Sequence, residues 1–426
     1  MRLVALVAAG QLVASGSASV ARQHPTALAA SQPAAPGRVR QPAGNDRATA
    51  VRALLRQRGA ALRAHDRPAF LATIDPAATT FRARQAKVFD ALHDVPLSAW
   101  GYDVDAAHAR PNTPALDRRY GTWWAPDVVL RYALAGFDAA PTERQQGLTF
   151  VRRAGRWYLA ADDDFGGHRT ARELWDGGPV LVARGASTLV LAHPGHDALV
   201  RLLLRETAAA VPRVTAVWGQ RWARRVVVMV PGSETELRRL VPDIGDLSQT
   251  AALATAELSD RGRGDHPVGD RVLLNPPNFA RLGPLGRRVV LTHEVTHVAS
   301  RAATGPGMPT WLVEGLADYV GYRGLGLSLS ASASELQGDV RAGRLPTRLP
   351  TDAAFDGSDP LLAQVYEQSW RAVVLLARMY GEPALLRLYR AVGAGRPLAQ
   401  ALPSELRTTE AAFTVAWRDD LRRELG

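Results

Sequence analysis

The chain has 426 residues, 46% apolar and 7% aromatic, which fits one or two folded domains and excludes a disordered or fibrous protein. Its formal net charge of +11 comes almost entirely from arginine, because Lys87 is the only lysine. The arginines are scattered and form no block of five or six like charges, so we expect no nucleic-acid partner. The chain has no cysteine, which excludes disulfides, thiolate zinc ligands and cysteine catalysis.

The first 45 residues have the composition of an exported, unstructured start. Arg2 precedes a short apolar run, Leu3 to Val13, and then small residues, a pattern typical of a signal peptide over residues 1–21. The alternative is an alanine-rich disordered start. Residues 22–45, rich in Pro, Ala, Gly and Gln, are expected to form a flexible linker.

The same composition bears on localisation. No stretch reaches the roughly eighteen apolar residues that a membrane span needs, so we expect no stable membrane span. We expect a secreted protein, and the bias toward Arg, Ala, Gly and Pro indicates a GC-rich bacterial source.

Residues 46–165 are predicted to form a first domain that begins with helices and ends with strands. Apolar residues recur at helical spacing from Val51 to Leu62, and a second helix is expected over Thr79–His93. Phe150–Asp162 is typical of a hairpin that turns at Ala154 and Gly155. Earlier strand-like runs are Leu97–Val104, Tyr120–Trp124, Val128–Leu134 and Leu148–Val151.

Helices followed by an antiparallel meander indicate an α+β roll. With its G-R-W-Y-L-A-A-D ending, this arrangement resembles NTF2-like domains. We expect this domain to bind an unknown partner or to pack on the rest of the chain, and not to catalyse. The triplet Asp162–Asp164 is interpreted as a solvated acidic loop in preference to a metal cluster.

A second domain is predicted over residues 175–426, after a Gly- and charge-rich linker that covers residues 166–178. An amphipathic helix is expected over Asp197–Val211 and a buried strand over Val226–Val230. A further strand, Arg271–Leu274, ends at Asn275.

A cluster of histidine and acidic residues follows that strand. His293 and His297 stand four residues apart, so on a helix they share one face and can bind one metal ion. Glu294 stands beside them as a general base, and Glu314, in a second amphipathic run, can supply a third ligand. Two His, one Glu and an open position are typical of catalytic zinc. The alternative is an ordinary helix with two histidines, although a helix buried all round would then need partners for these polar groups.

Asp318 lies four residues beyond Glu314, on the same helical face. A carboxylate there can accept the second ring N–H of a metal-bound His and fix its tautomer. The alternative interpretation is a solvated Asp on an exposed face.

The segment HEVTH followed by PTWLVEGLADYV resembles the gluzincin metallopeptidases, especially compact peptidase MA-like domains. The resemblance extends from about residue 175 to the C-terminus. It implies that His293, His297 and Glu314 bind one Zn²⁺ ion, that Glu294 acts as general base and acid, and that Asp318 supports one His. The chain lacks a G-A-M-E-N-like exopeptidase sequence, which weakens an aminopeptidase assignment.

The resemblance implies two further features. The strand before the metal helix would be a sheet edge that pairs with the substrate backbone, although a plain hairpin strand is an equally good interpretation. Tyr366, at the start of a helix expected over Val365–Gly381, would face the metal and donate to the oxyanion, whereas the alternative is a core or surface Tyr.

Together these patterns predict an α+β fold: an NTF2-like α+β roll, then a gluzincin-type domain with a small mixed sheet, an active-site helix and a helical lower lobe. The expected function is zinc-dependent hydrolysis of a peptide or protein substrate. The alternatives are an exported binding or scaffold protein with a vestigial metal site, and a zinc amidase that acts on a non-protein amide.

Overall fold

A computed structural model describes residues 12–13, 43–166, 170–242, 244–259 and 266–426. Most of the predicted signal peptide, apart from Leu12 and Val13, and most of the predicted linker therefore lie outside the described residues. Strand β1 (Leu12–Val13) precedes helix α1 (Ala43–Arg63), which begins inside the predicted linker. Among the helices that the structure describes, none combines the length and the hydrophobicity that crossing a bilayer requires.

The first folded region contains three further helices and six strands. The helices are α2 (Arg67–Leu71), α3 (Thr79–Ala91) and α4 (Pro114–Tyr120). The strands are β2 (Leu97–Ala109), β3 (Trp123–Trp124), β4 (Pro126–Leu134), β5 (Thr142–Gln146), β6 (Thr149–Arg153) and β7 (Arg156–Ala161). They form two antiparallel three-stranded sheets, in the orders β2-β4-β5 and β3-β6-β7. The predicted hairpin turns at Ala154 and Gly155, both with positive φ.

A six-stranded mixed sheet forms the centre of the second region. Its strands are β8 (Leu181–Arg184), β9 (Thr188–Ala192), β10 (Val226–Val230), β11 (Ala252–Ser259) and β12 (His266–Leu274), with β1 added at one side. The order is β1-β11-β12-β10-β9-β8. The pairs β12–β10 and β10–β9 are parallel, whereas β11–β12 and β8–β9 are antiparallel.

Helices surround this sheet and build the rest of the chain. Before the metal-site segment they are α5 (Leu174–Gly177), α6 (Asp197–Trp218), α7 (Glu234–Leu240) and α8 (Pro276–Arg281). The site segment contains α9 (Pro284–Ser300) and α10 (Thr310–Tyr322). The remainder are α11 (Leu329–Ser332), α12 (Ser334–Arg341), α13 (Leu362–Tyr380), α14 (Glu382–Gly393), α15 (Leu398–Leu406) and α16 (Glu410–Leu425). The predicted α+β class with small sheets is confirmed.

The central sheet is covered on both faces, and by different parts of the chain. Alternate residues of a strand point to opposite faces, so β10 (VVVMV) has to be apolar throughout. Val226, Val228 and Val230 belong to the core that the second-region helices form. Val227 and Met229 belong to a core shared with the first region, whose members include Leu54, Phe70, Trp100, Tyr132 and Phe150. The first region therefore packs on the sheet as one of its two covering layers.

The predicted linker over residues 166–178 is not a free connection in its described part. Leu174 and Trp175 are buried, and the Trp175 ring contacts Trp100 and Tyr132, 6.0 Å and 5.1 Å between ring centroids. Glu173 accepts a hydrogen bond from Arg144 on β5. Glycine content suggested a linker, but two large apolar side chains give this segment enough buried surface to dock.

Three other sequence predictions differ from the structure. Helix α6 continues past the predicted end at Val211, with Pro212 in its interior. The side chains of Asp162 and Asp164 are buried and pair with arginines, so these two members of the acidic triplet are not solvated, whereas Asp163 is exposed as predicted. The strand that includes Arg271–Leu274 lies between β10 and β11 and is not a sheet edge. The parallel pairing with β10 occupies β12. The other strand of that hairpin, β11, pairs with β1 through Ala256 and Glu257, so it is not an edge along its whole length.

Candidate metal centre

Helix α9 carries two of the predicted metal ligands and is buried almost all round. Pro284 stands in its first turn, where the missing N–H costs nothing. Val289, Val290, Leu291 and Val295 are at most 1% exposed. The helix packs against α6 and α10 and lies next to β11. This burial leaves His293, Glu294 and His297 without water, so their polar atoms need partners inside the protein.

Helix α10 carries Glu314 and Asp318 and approaches its neighbours through glycines. A methyl group on Gly321 would lie 3.3 Å from the carbonyl oxygen of Val289, on α9. A methyl group on Gly315 would lie 2.5 Å from the carbonyl oxygen of Ser369, on α13. Glycine lowers intrinsic helix stability, so its presence at both positions is explained by the close packing.

The side chains of His293, His297 and Glu314 converge on one point. Their nearest donor atoms all lie within 4.8 Å of one another, and all three residues are buried. The Nε2 atoms of the two histidines are 2.8 Å apart, and Glu314 Oε2 lies 3.2 Å from His293 Nε2 and 3.4 Å from His297 Nε2. Asp318 is buried rather than solvated, and its Oδ1 lies 2.8 Å from His293 Nδ1.

This donor set fits zinc. Two imidazole nitrogens and one carboxylate oxygen are ordinary zinc ligands, and the separations suit ligand bonds of about 2.0–2.2 Å. Glu314 Oε2 is buried and makes no hydrogen bond within the described part of the chain. A cation would compensate this oxygen and the two nitrogens that otherwise face each other. Residues 293, 297 and 314 could therefore hold one Zn²⁺ ion, with Asp318 behind His293.

Glu294 is the fourth member of the cluster. It is 0% exposed, and neither carboxylate oxygen has a hydrogen-bond partner at normal geometry among the described residues. Burial raises the pKa of its carboxyl to about 8, while His293, Arg301 and the backbone of Ala254 on β11 act to lower it. A desolvated carboxylate with a raised pKa beside the donor set is suited to accept a proton near neutral pH.

The other charges of the cluster are strongly coupled. Burial acts to lower the pKa of His293, but Asp318 and Glu314 outweigh it and raise the pKa to about 10. Burial acts to raise the pKa of Glu314, but His297 and His293 outweigh it and hold the carboxyl ionised. Burial lowers the pKa of His297. Protons and a cation therefore compete for the same nitrogen atoms.

Tyr366 lies on α13, which packs against α10. It is 4% exposed, and its ring packs edge-on against Phe355, 5.4 Å between centroids. These contacts are those of a core tyrosine. The oxyanion role that the resemblance implies for Tyr366 stays a prediction.

Sequence reasoning overlooked Arg301. It stands four residues after His297 and eight after His293, a spacing that continues the same helical face, and it begins a 3-10 turn, Arg301–Ala303. Arg301 is 5% exposed, and its charge lowers the pKa of both Glu294 and His297. The H-x-x-x-H-x-x-x-R spacing was visible in the sequence, but the scattered arginines gave no reason to single it out.

Comparison with known proteins gives weak similarities only. No family model matches the chain, and no curated protein matches it. Among solved structures, an M1 zinc metallopeptidase from Deinococcus radiodurans matches with 17% identity and a TM-score of 0.35, over 63% of this chain and 58% of that one. A mutant of that enzyme bound to the substrate Tyr-Ser-Ala matches with 17% identity and a TM-score of 0.32, over 65% and 58%.

A further structure, of the same metallopeptidase as a point mutant, matches with 17% identity and a TM-score of 0.33, over 65% of this chain and 59% of that one. This chain thus spans about three fifths of the length of the matched structures. Similarity at this level does not establish a common function, so the functional inference has to come from the site.

Proposed function

We propose that this chain is a zinc-dependent metallopeptidase of the gluzincin type. The observation that carries the proposal is the convergence of His293, His297 and Glu314 on one buried point, with Glu294 beside them and Asp318 hydrogen-bonded behind. Three protein ligands leave a coordination position open, as catalytic zinc sites do and closed structural sites do not. The matched structures are also zinc metallopeptidases, in agreement with the proposal.

Zinc bound there would lower the pKa of a water molecule to about 7 and polarise the carbonyl to be attacked. Glu294 takes the proton that the attacking water loses and delivers it to the leaving amine nitrogen. Asp318 accepts a hydrogen bond from His293 Nδ1–H, which directs Nε2 toward the ion. Burial removes competing water from all these groups and strengthens their interactions.

The proposed substrate is a peptide or protein. Strand β11 contacts α9, and the backbone of Ala254 on that strand lies close enough to Glu294 to affect its pKa. An extended peptide paired with a strand beside the metal helix would be held through its main chain. Because β12 is interior and β11 pairs with β1 through Ala256 and Glu257, we propose that the preceding part of β11, residues 252–255, takes the substrate-pairing role expected of the strand before the helix.

The decisive experiment couples metal analysis to cleavage of a peptide library. The purified protein should contain one zinc ion per chain and cleave a subset of peptides. Glu294→Gln should retain zinc and lose at least about 10³-fold in kcat, because the amide cannot accept the proton. His293→Ala should lose zinc.

Two outcomes would contradict the proposal. Full peptide cleavage by Glu294→Gln would show that Glu294 is not the base. Zinc binding without cleavage of any peptide by the parent protein would instead favour a vestigial site or a non-protein amide substrate.

A further inference from the structure

Arg301 has an incomplete set of hydrogen bonds although it is almost fully buried. Its Nε donates to Asp270 Oδ1 over 3.1 Å, whereas its Nη2 has no hydrogen-bond partner in the part of the chain that the structure describes. A guanidinium offers five N–H donors and cannot lose its charge. An unpartnered buried donor on such a group is unfavourable, so a ligand that supplies an acceptor would be favoured there.

Arg301 stands next to the candidate metal ligands along the chain. Arg301 lies one turn beyond His297 on the face of α9 that carries the metal ligands. The charge of Arg301 lowers the pKa of Glu294 and of His297. Its Nη2 atom is buried, as are the two carboxylate oxygens of Glu294. A peptide bound at the metal ligands and extending along this face of the helix would bring main-chain groups toward Arg301.

Arg301 is held in place by a chain of interactions that begins in the first folded region. Asp138, after β4, accepts two hydrogen bonds from Arg271 on β12, at 2.7 Å and 2.8 Å, and both side chains are 3% exposed. Arg271 Nη1 also donates to the carbonyl oxygen of Asp270 over 3.0 Å. Asp270 in turn binds Arg301.

The charges of the four paired side chains decide which hydrogen-bond acceptor suits Arg301. Two carboxylates, Asp138 and Asp270, balance two guanidinium groups, Arg271 and Arg301. The positive charge of Arg301 is therefore already balanced, and its unpartnered Nη2 does not require an anionic ligand. A neutral carbonyl oxygen, which every peptide substrate provides, satisfies the donor without leaving a charge unbalanced.

We propose that Arg301 is a substrate-binding residue, whose Nη2 donates a hydrogen bond to a main-chain carbonyl of the bound peptide, and that the first folded region positions it through Asp138, Arg271 and Asp270. This inference rests on the proposed peptidase function. It gives the first region a part in substrate binding, although it supplies no catalytic group.

The test measures binding of a cleaved peptide to the zinc-loaded Glu294→Gln variant, which cannot turn it over. Adding Arg301→Met should raise the dissociation constant about 10- to 100-fold, the effect of losing a charge-assisted hydrogen bond, with zinc content unchanged. The peptide is used both as the free acid and as the C-terminal amide, and the two forms should lose affinity to the same extent. Arg371→Met is the matched control, because Arg371 is equally buried but pairs with Asp420 on α16.

Each result distinguishes this inference from the proposed function. Cleavage by the parent protein with unchanged peptide binding in Arg301→Met would overturn the role of Arg301 alone. A loss confined to the free acid would overturn the carbonyl assignment in favour of a terminal carboxylate. Absence of cleavage by the parent protein would count against the peptidase function itself.

A second variant covers the case in which Arg301→Met loses zinc. Arg301→Lys keeps the charge but lacks the planar fork that serves Asp270 and the peptide together. Weaker peptide binding by zinc-loaded Arg301→Lys supports the contact, and unchanged binding overturns it.

Discussion

At the scale of single residues, the site combines imidazole and carboxylate groups that cannot all find hydrogen-bond partners and balanced charges among themselves. His293 lies between two carboxylates, with Nδ1 2.8 Å from Asp318 Oδ1 and Nε2 3.2 Å from Glu314 Oε2. Bulk water does not reach the imidazole, because the residue is 0% exposed. The two carboxylates favour a protonated imidazole, whereas a metal requires the Nε2 lone pair. Zinc binding at this site would therefore be coupled to proton release.

The expected pH dependence follows from the raised pKa of His293. Carboxylate neighbours move it from its ordinary value near 6.5 to about 10, so at pH 7.5 the metal-free imidazole holds a proton that zinc must displace. Apparent zinc affinity should rise with pH across this window, by up to about tenfold per pH unit. Chelator competition at pH 6.5, 7.5 and 8.5 measures it. A pH-independent affinity would contradict the coupling, and Asp318→Asn should flatten the profile because it removes the nearest carboxylate charge.

At the scale of elements, the site depends on how closely α10 lies against α9 and α13. The two glycines of E-G-L-A-D-Y-V-G allow this approach, and Gly315 is adjacent in sequence to the candidate metal ligand Glu314. Helix propensity alone favours alanine over glycine by about 1 kcal/mol. Tertiary packing outweighs that preference here, because the added methyl group would meet backbone atoms that cannot rotate away.

We expect Gly315→Ala to destabilise the protein by about 1–3 kcal/mol and to weaken zinc binding. The new methyl group would lie 2.5 Å from the Ser369 carbonyl oxygen and 2.7 Å from Val373 Cγ2, so α10 has to move and Glu314 with it. Denaturant unfolding and zinc titration measure the two effects. Gly338→Ala on α12 is the control, since nothing lies within 4 Å of its methyl position, and it should be neutral or stabilising. Equal behaviour of the two variants would contradict this account.

At the scale of the whole molecule, the two predicted domains share a hydrophobic core across the central sheet. Leu189, Leu191, Val227 and Met229 of the sheet belong to the same cluster as side chains from the first region. The buried Arg271–Asp138 pair fixes the position of the first region on the sheet, because a guanidinium and a carboxylate at 3% exposure must meet in one geometry. The first region is thus part of the structural support of the metal helix.

Removing one partner of that pair tests this coupling. Asp138→Ala should lower the free energy of unfolding by about 3–5 kcal/mol, because it leaves the buried charge of Arg271 unpaired. Asp90→Ala removes the exposed partner of Arg67 and should leave the free energy of unfolding nearly unchanged, because solvent screens that pair. Denaturant-induced unfolding followed by tryptophan fluorescence compares the variants. A cost for Asp138→Ala as small as for Asp90→Ala would show that the two regions are only loosely joined.

Local patterns in the sequence predicted several elements well, and the structure brings the predicted site residues together. The strand β10, the hairpin at Ala154 and Gly155 and the pair His293 and His297 depend on neighbours within a few residues along the chain, so periodicity and spacing determine them. Glu314 and Asp318 share a face of α10 for the same reason. The continuation of α6 through Pro212 was missed because the packing of a long helix outweighed a local break signal.

By itself, the sequence determined which side chains helical periodicity brings together: two imidazoles and a glutamate proposed as metal ligands, a glutamate proposed as the base, and an aspartate behind them. Only the tertiary structure decided which strand stands beside that helix, what covers the far face of the sheet and which partner each buried arginine takes. The pairs Arg271–Asp138 and Arg301–Asp270 join residues 133 and 31 positions apart. Such pairings depend on strand order and on the packing of whole layers, and no local propensity encodes them.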